Sequence, residues 1–253
     1  METIYYQDLG TIAYDEAWAY QEQLLQANLA LKAQWYNKQD VAPADIGTKH
    51  HLLFCRHPHV YTIGKSGHME NLLVNDARLK ELDVTFVKTN RGGDITYHGP
   101  GQVVGYPIID LERYVTDLGK YMRRLEEVII RTLAHYGITG GRLAGSTGVW
   151  LDADVPGRAR KICAMGVRCS RWVTMHGFAL NVNTDLQYFG HIVPCGITDK
   201  GVTSMQKELG YIVDEEKVKE ILWHEFGAVF DSEIVKEDLT SAYRTITTID
   251  TKI

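Results

Sequence analysis

The sequence predicts an α+β fold, a mixed or antiparallel sheet flanked by helices. Three observations carry that expectation: few segments show strong helical periodicity, eight short runs are rich in β-branched and aromatic residues, and the two kinds do not alternate as in a βαβ series. The chain has 253 residues, 45% of them hydrophobic and 23% charged, which is enough apolar material for a sizeable core and too much for a disordered chain. No repeat or linker divides it, so residues 1–253 read as one domain. After Lys207 the composition becomes more charged, which permits a small C-terminal subdomain without requiring one.

The first helix is expected over 15–35, capped by Asp15, with Ala17, Tyr20, Leu24, Ala27, Leu31 and Trp35 facing inward at steps of three and four. A polar loop containing proline and glycine, 39–49, leads to strand-like runs at 51–55, 60–63, 84–88, 95–97 and 102–109. The second helix is expected over 118–136, with Asp117 before it, Gly137 after it, and Tyr121, Met122, Leu125, Val128, Ile129, Thr132, Leu133 and Tyr136 on one face. Further strand-like runs follow at 148–151, 161–168 and 178–182. The third helix, 215–230, starts after Asp214 and turns Val218, Ile221, Leu222, Phe226 and Val229 inward.

Charge and composition exclude several classes. With 27 basic and 32 acidic residues the formal net charge is -5, so no global basic field recruits nucleic acid or an anionic membrane. No apolar run approaches the ~18 residues of a membrane span, and the N-terminus lacks the layout of a signal peptide, so the protein is expected in the cytoplasm. Cys55, Cys163, Cys169 and Cys195 form no C-x-x-C pair and read as reduced thiols. Gly64-Lys65-Ser66 lacks the earlier glycine of a phosphate-binding loop, His50-His51 and His57-Pro58-His59 lack a completing metal ligand, and His224-Glu225 lacks the second histidine of a zinc-protease helix. No metal site is expected.

Three segments remain as candidates for chemistry. In 91–102, glycines at 92, 93, 99 and 101 surround one short strand; they suit either close approach of backbone to a ligand or a hairpin with tight turns. Arg91 there could grip a phosphate or carboxylate, and His98 could donate, accept or carry a proton. Lys161 opens an apolar strand whose alternation places Lys161, Cys163 and Met165 on one face and Ile162, Ala164 and Gly166 on the other; it is either an ordinary snorkelling lysine or a functional one. A strand with small residues follows at 176–183. Then comes Cys195, held between Pro194 and Gly196 in a turn, either an inert turn cysteine or an exposed nucleophile beside an accessible amide.

Taken together, the run from Arg91 to Pro107 and the later runs beginning at Lys161, His176 and Pro194, in that order, resemble the lipoyl(octanoyl) transferases, the family that attaches octanoyl in lipoate synthesis. The resemblance implies a fold similar to the biotin and lipoate protein ligase catalytic domain. It implies octanoyl transfer from octanoyl-acyl carrier protein to a lysine of lipoyl domains, those of 2-oxoacid dehydrogenase acyltransferase subunits and of the glycine-cleavage H protein, without a cofactor. Cys195 matches the cysteine that carries the acyl thioester and Lys161 the lysine that lowers its pKa. Arg91, Gly92, Gly93, Asp94, Ile95, Thr96, Tyr97 and His98, with Ala164, Met165, Gly166 and Gly177, Phe178, Ala179, match the substrate-binding segments. Cys163 stands where that family often has a small residue. Thioester exchange is nearly isoenergetic and needs no ATP, Lys161 could serve both half-reactions, and Ala164, Gly166, Gly177 and Ala179 leave room for an acyl tunnel. The competing readings are an ATP-dependent lipoate or octanoate protein ligase and a non-catalytic acyl-binding protein.

Overall fold

The computed structural model describes residues 1–35, 42–193 and 200–237. In chain order the elements are β1 (Glu2–Thr11), α1 (Tyr14–Trp35), β2 (His50–Arg56), β3 (Val60–Ile63), α2 (Asp76–Glu81), β4 (Thr85–Lys88), β5 (Ile95–His98) and β6 (Gln102–Ile108). There follow α3 (Leu118–Ala134), β7 (Val149–Leu151), β8 (Arg160–Ser170), β9 (Val173–Asn181), β10 (Gly201–Val202), α4 (Met205–Leu209), α5 (Glu215–Phe230) and β11 (Ser232–Lys236). The fold is α+β, with mixed sheets flanked by helices. The large sheet runs β10-β8-β9-β6-β2-β1-β11, with β7 also on β8, and a small sheet runs β4-β3-β5. Both contain parallel and antiparallel pairs.

The strands in the middle of the large sheet are buried on both faces, which is why they read as unbroken apolar runs. In β2, Leu52 and Phe54 join the core beneath α3 and α5, while Leu53 and Cys55 join the core beneath α1. Helix α3 is as expected: Asp117 accepts from the Lys120 amide at 2.9 Å and the periodic face is buried, although the helix ends at Ala134, before Tyr136. Helix α5 starts where expected, its cap Asp214 accepting from two first-turn amides. It packs into the same core as α3, and β11 pairs with β1, so the charged C-terminal stretch through residue 237 is built into the main sheet and core.

Helix α1 differs from expectation. It begins at Tyr14, with Asp15 inside its first turn and not at the cap. Its buried face carries Tyr14, Ala17, Tyr20, Gln21, Leu25, Asn28 and Lys32, while Ala27 is exposed. Polar residues take inward positions because each has a fixed partner. Lys32 reaches Asp110 at 2.7 Å, Asn28 exchanges two hydrogen bonds with the Lys49 backbone, and Gln21 accepts from the His176 amide.

Candidate active site

Strand β8 brings Lys161 to its site through a bulge. Opposite β7, Val149 pairs with Cys163 but the next residue, Trp150, pairs with Lys161, so β8 holds one extra residue at Ile162. The expected alternation is broken there. Ile162 and Cys163 both enter the main core, and Lys161 turns to line a cavity together with Ala164 and Gly166. Its ammonium lies 4.6 Å from the centroid of the Trp150 ring.

That cavity gathers most of the segments singled out from sequence. Arg91, Gly93, Asp94, Ile95, Thr96, His98, Lys161, Ala164, Met165, Gly166, Gly177, Phe178 and Ala179 all line it. Gly92 and Tyr97 do not. Gly92 ties its loop to β8, its amide donating to the Val167 carbonyl at 2.9 Å. Tyr97 lies in the core under the small sheet, stacked on Tyr188, with its hydroxyl 2.6 Å from His59 Nδ1. The cavity is narrow, about 80 Å³, and past Lys161, Phe189 and Val202 it adjoins a wider recess of about 440 Å³ that Trp150 and Lys207 also line. Cys195 lies outside the described residues; Val193 and Lys200, which flank its segment, line that recess.

The glycines of the site serve close approach of protein backbone more than room for a ligand. A Cβ on Gly166 would stand 2.7 Å from the Gly92 carbonyl oxygen, and one on Gly177 would stand 2.2 Å from that of Gly105. These contacts seat the 91–94 loop on β8 and hold β9 against β6, a different reason for glycine than an acyl tunnel. The Arg91 guanidinium, expected as an anion grip, is buried against the protein itself and donates to the Thr62 carbonyl and hydroxyl and to the Gly92 carbonyl. The Asp94 carboxylate accepts from the His68 and Ile95 amides and from Asn71, which fixes the loop's shape.

One end of the cavity is polar. Tyr14, His98, Gln102, Tyr106, His176 and Asn181 line it; of these only His98 is a site residue expected from sequence, Gln102, Tyr106, His176 and Asn181 fall within the segments that suggest the site, and Tyr14 lies outside them, because a tyrosine in a helix looks like an ordinary structural residue. Gln102 donates to the Tyr97 carbonyl and to Asn181, so its oxygen must accept, and His98 Nδ1 donates to it at 3.2 Å. Burial, reinforced by the nearby Arg91 guanidinium, holds His98 well below the usual histidine range; it is a neutral ring whose Nε2 is an acceptor. Next to it His57 donates from Nδ1 to the Ile12 carbonyl and accepts from the Tyr106 hydroxyl at 2.7 Å. Burial keeps Tyr106 protonated and pushes Tyr14 up to about 12, with Arg91 opposing both shifts.

Burial also raises the three described thiols, Cys55, Cys163 and Cys169, so none of them is favoured as a thiolate. Among the described residues no helix is long and apolar enough to cross a membrane.

The model of the lipoyl protein ligase A/B catalytic domain matches residues 13–227. The chain is 57% identical over 230 residues to an octanoyltransferase of Flavobacterium johnsoniae, covering 90% of this chain and 97% of that one. It is 52% identical over 237 residues to an octanoyltransferase of Cytophaga hutchinsonii, covering 92% and 95%. Among solved structures it resembles a bipartite lipoate protein ligase of Thermoplasma acidophilum, with a TM-score of 0.67 at 17% identity over 97% of this chain and 90% of that one. A lipoate-protein ligase A bound with ATP gives a TM-score of 0.65 at 17% identity, covering 97% and 92%. The likeness to these ligases is one of fold.

Proposed function

The chain belongs to the octanoyltransferases of the lipoyl protein ligase A/B catalytic-domain family, and from that premise we propose that it carries octanoyl from an acyl carrier protein through a thioester on Cys195 to a lysine of a lipoyl domain. It is an acyltransferase, and its place is the octanoyl transfer of protein lipoylation. The observation that carries the finer reading is the convergence of Lys161 and the apolar residues Ile95, Met165, Phe178 and Ala179 on one cavity, which adjoins a recess lined by both residues flanking the Cys195 segment. The octanoyl chain lies in the cavity, and the reacting carbonyl lies at its Lys161 end.

In the first half-reaction the Cys195 thiol gives its proton to the Lys161 amine and its sulfur attacks the donor thioester carbonyl. The new carbon–sulfur bond forms at Cys195, the bond to the carrier's sulfur breaks, and the departing thiolate takes the proton back from Lys161. In the second, the neutral acceptor amine attacks the Cys195 thioester. An amide bond forms, the Cys195 sulfur leaves as thiolate, and the surplus amine proton passes by way of Lys161 to that sulfur. Protons and bonds balance over the cycle with no nucleotide consumed. His98 is a weak base in its buried, neutral state and serves as a wall of the pocket.

The test is a reconstituted transfer from octanoyl-carrier protein to a lipoyl domain with ATP and magnesium omitted. Full transfer is expected, abolished by Cys195→Ser with the fold retained. A strict requirement for ATP with release of pyrophosphate would instead support a ligase.

A further inference from the structure

Strand β9 contains a residue that breaks its own pattern. Alternation along β9 sends Phe178 and Leu180 to the core beneath α3 and α5, and Met175 and Ala179 to the core beneath α1. His176 belongs by parity with the first pair, yet its ring lies 6.0 Å from that of Trp18 on α1 and 6.5 Å from that of Tyr106. Its backbone is left-handed, φ 58°, which turns the side chain to the α1 face and into the wall of the cavity. A left-handed non-glycine residue inside a strand is strained, and such strain persists only where the surroundings enforce it. Two contacts do so: the His176 amide donates to Gln21 Oε1 at 2.9 Å, and its Nε2 donates to Asn90 Oδ1 at 2.8 Å.

With Nε2 fixed as the donor, Nδ1 carries the lone pair. His176 is 1% exposed, and this Nδ1 is buried without a hydrogen-bond partner. A buried acceptor left without a donor is unfavourable, and water can supply one where a methyl terminus cannot.

The register supplies a scale. Ala164 pairs with Ala179, Met165 with Phe178, Gly166 with Gly177 and Val167 with His176. From Ala164 to the level of His176 is therefore three strand steps, about 10 Å at a strand rise of ~3.3 Å per residue, which is the reach of an extended eight-carbon chain. Ala164 marks the near end of this track and His176 the far end, with Lys161 three residues beyond Ala164, across the bulge and on the side away from His176.

We infer that His176 is the residue that sets acyl chain length, closing the far end of the cavity with a polar wall that an octanoyl chain stops short of and a longer chain would have to dehydrate. The inference rests on the proposed placement of the reacting carbonyl at the Lys161 end of the cavity, at the level of Ala164. Lengthening the chain brings methylene groups against Nδ1 and the neighbouring polar atoms of Tyr106 and His98, so longer acyl groups are rejected.

The experiment is a competition between octanoyl-, decanoyl- and dodecanoyl-carrier protein for transfer to a lipoyl domain, read as the ratio of products. That ratio does not depend on which nucleophile carries the acyl group, so it stands or falls separately from the Cys195 thioester. His176→Gly suits the left-handed backbone and removes the wall. It should raise the decanoyl-to-octanoyl ratio by about tenfold or more, the scale on which one or two methylenes are discriminated in a pocket. His176→Asn, which also tolerates this backbone, keeps polarity in a shorter side chain and should shift the ratio less. A purely structural role would lower transfer of all three chains equally; an unchanged ratio in a folded glycine variant, or the same shift in both variants, would overturn the inference.

Discussion

The Lys161 ammonium sits 4.6 Å from the centre of the Trp150 ring, and Trp150 itself is 2% exposed, so the cation faces an aromatic surface largely withdrawn from water. The β7–β8 bulge creates this pairing by setting Lys161 opposite Trp150. A cation over an indole face is stabilised by about 0.5–2 kcal/mol, and here the contact also fixes where the amine stands.

Trp150 is accordingly a positioning residue for Lys161. Trp150→Leu should slow single-turnover acylation of Cys195 by about 5- to 30-fold, corresponding to ~1–2 kcal/mol, with a smaller change in KM. Trp150→Phe retains an aromatic face and should recover part of the rate. If the phenylalanine and leucine variants are equally slow at equal thermal stability, the ring's interaction with the lysine is not what matters.

Lys161→Met keeps the stem and removes the charge. Alkylation of Cys195 should then slow near neutral pH and catch up as pH rises toward the ordinary thiol value of about 8.5. Lys161→Arg restores charge without a removable proton and should not restore turnover. Identical pH profiles of alkylation in wild type and Lys161→Met would show the two residues to be uncoupled.

Acid should destabilise the fold through its buried histidines. Burial, the leading cause in each case, lowers His50, His51 and His57 to about 4 and His176 to about 3, and holds His98 well below the usual value. The unfolded chain binds protons below about 6.5 that the native state refuses, so stability complete above 6.5 is lost progressively as pH falls from there toward 4. Each group contributes a slope of up to about 1.4 kcal/mol per pH unit in that window. His51 lies outside the cavity, and His51→Leu should remove one proton's worth of slope from denaturant-unfolding free energies measured between pH 7 and 5. A slope equal to wild type would contradict the assignment.

Arg158 and Arg160 both precede Lys161, but they are not equivalent. Arg160 is held by Asp152 and, at 2.6 Å, by Glu208, whereas the Arg158 side chain is 70% exposed. Arg158→Glu should lower kcat/KM for the carrier-bound donor several-fold at low salt, with the defect shrinking as ionic strength rises from about 0.05 to 0.5 M. Arg160→Glu should lower the melting temperature, with a defect that salt does not remove. Salt-independent loss in the Arg158 variant would rule out steering.

The segments around the cavity were legible as an ordered set: residues of the glycine-dense 91–102 stretch and of the strands beginning at Lys161 and His176 line it together, whereas each alone reads equally well as ordinary structure, and Cys195 lies outside the described residues. Helices α3 and α5 were legible because their inward faces are apolar. The inward face of α1 was not, since Gln21, Asn28 and Lys32 are buried through hydrogen bonds and an ion pair, which apolar periodicity does not register. Strands β1 and β11, helices α2 and α4, and the two-residue β10 carry little sequence signal; β1, between β2 and the edge strand β11, mixes polar and apolar residues, and the short elements depend on their neighbours. Neither the bulge that redirects Lys161 nor the left-handed turn of His176 is written in any spacing rule. The bulge is set by pairing with the neighbouring strand β7, and the turn of His176 is held by Gln21 and Asn90, which are far from it in sequence.

The central claim is a covalent octanoyl-enzyme on Cys195, and intact-mass spectrometry after mixing with octanoyl-carrier protein in the absence of ATP tests it most directly. One octanoyl group should appear, labile to hydroxylamine, map to Cys195, disappear in Cys195→Ser and persist in Cys163→Ala, whose thiol is buried in the core. An adduct on Cys163, or no adduct while transfer to a lipoyl domain proceeds, would contradict it.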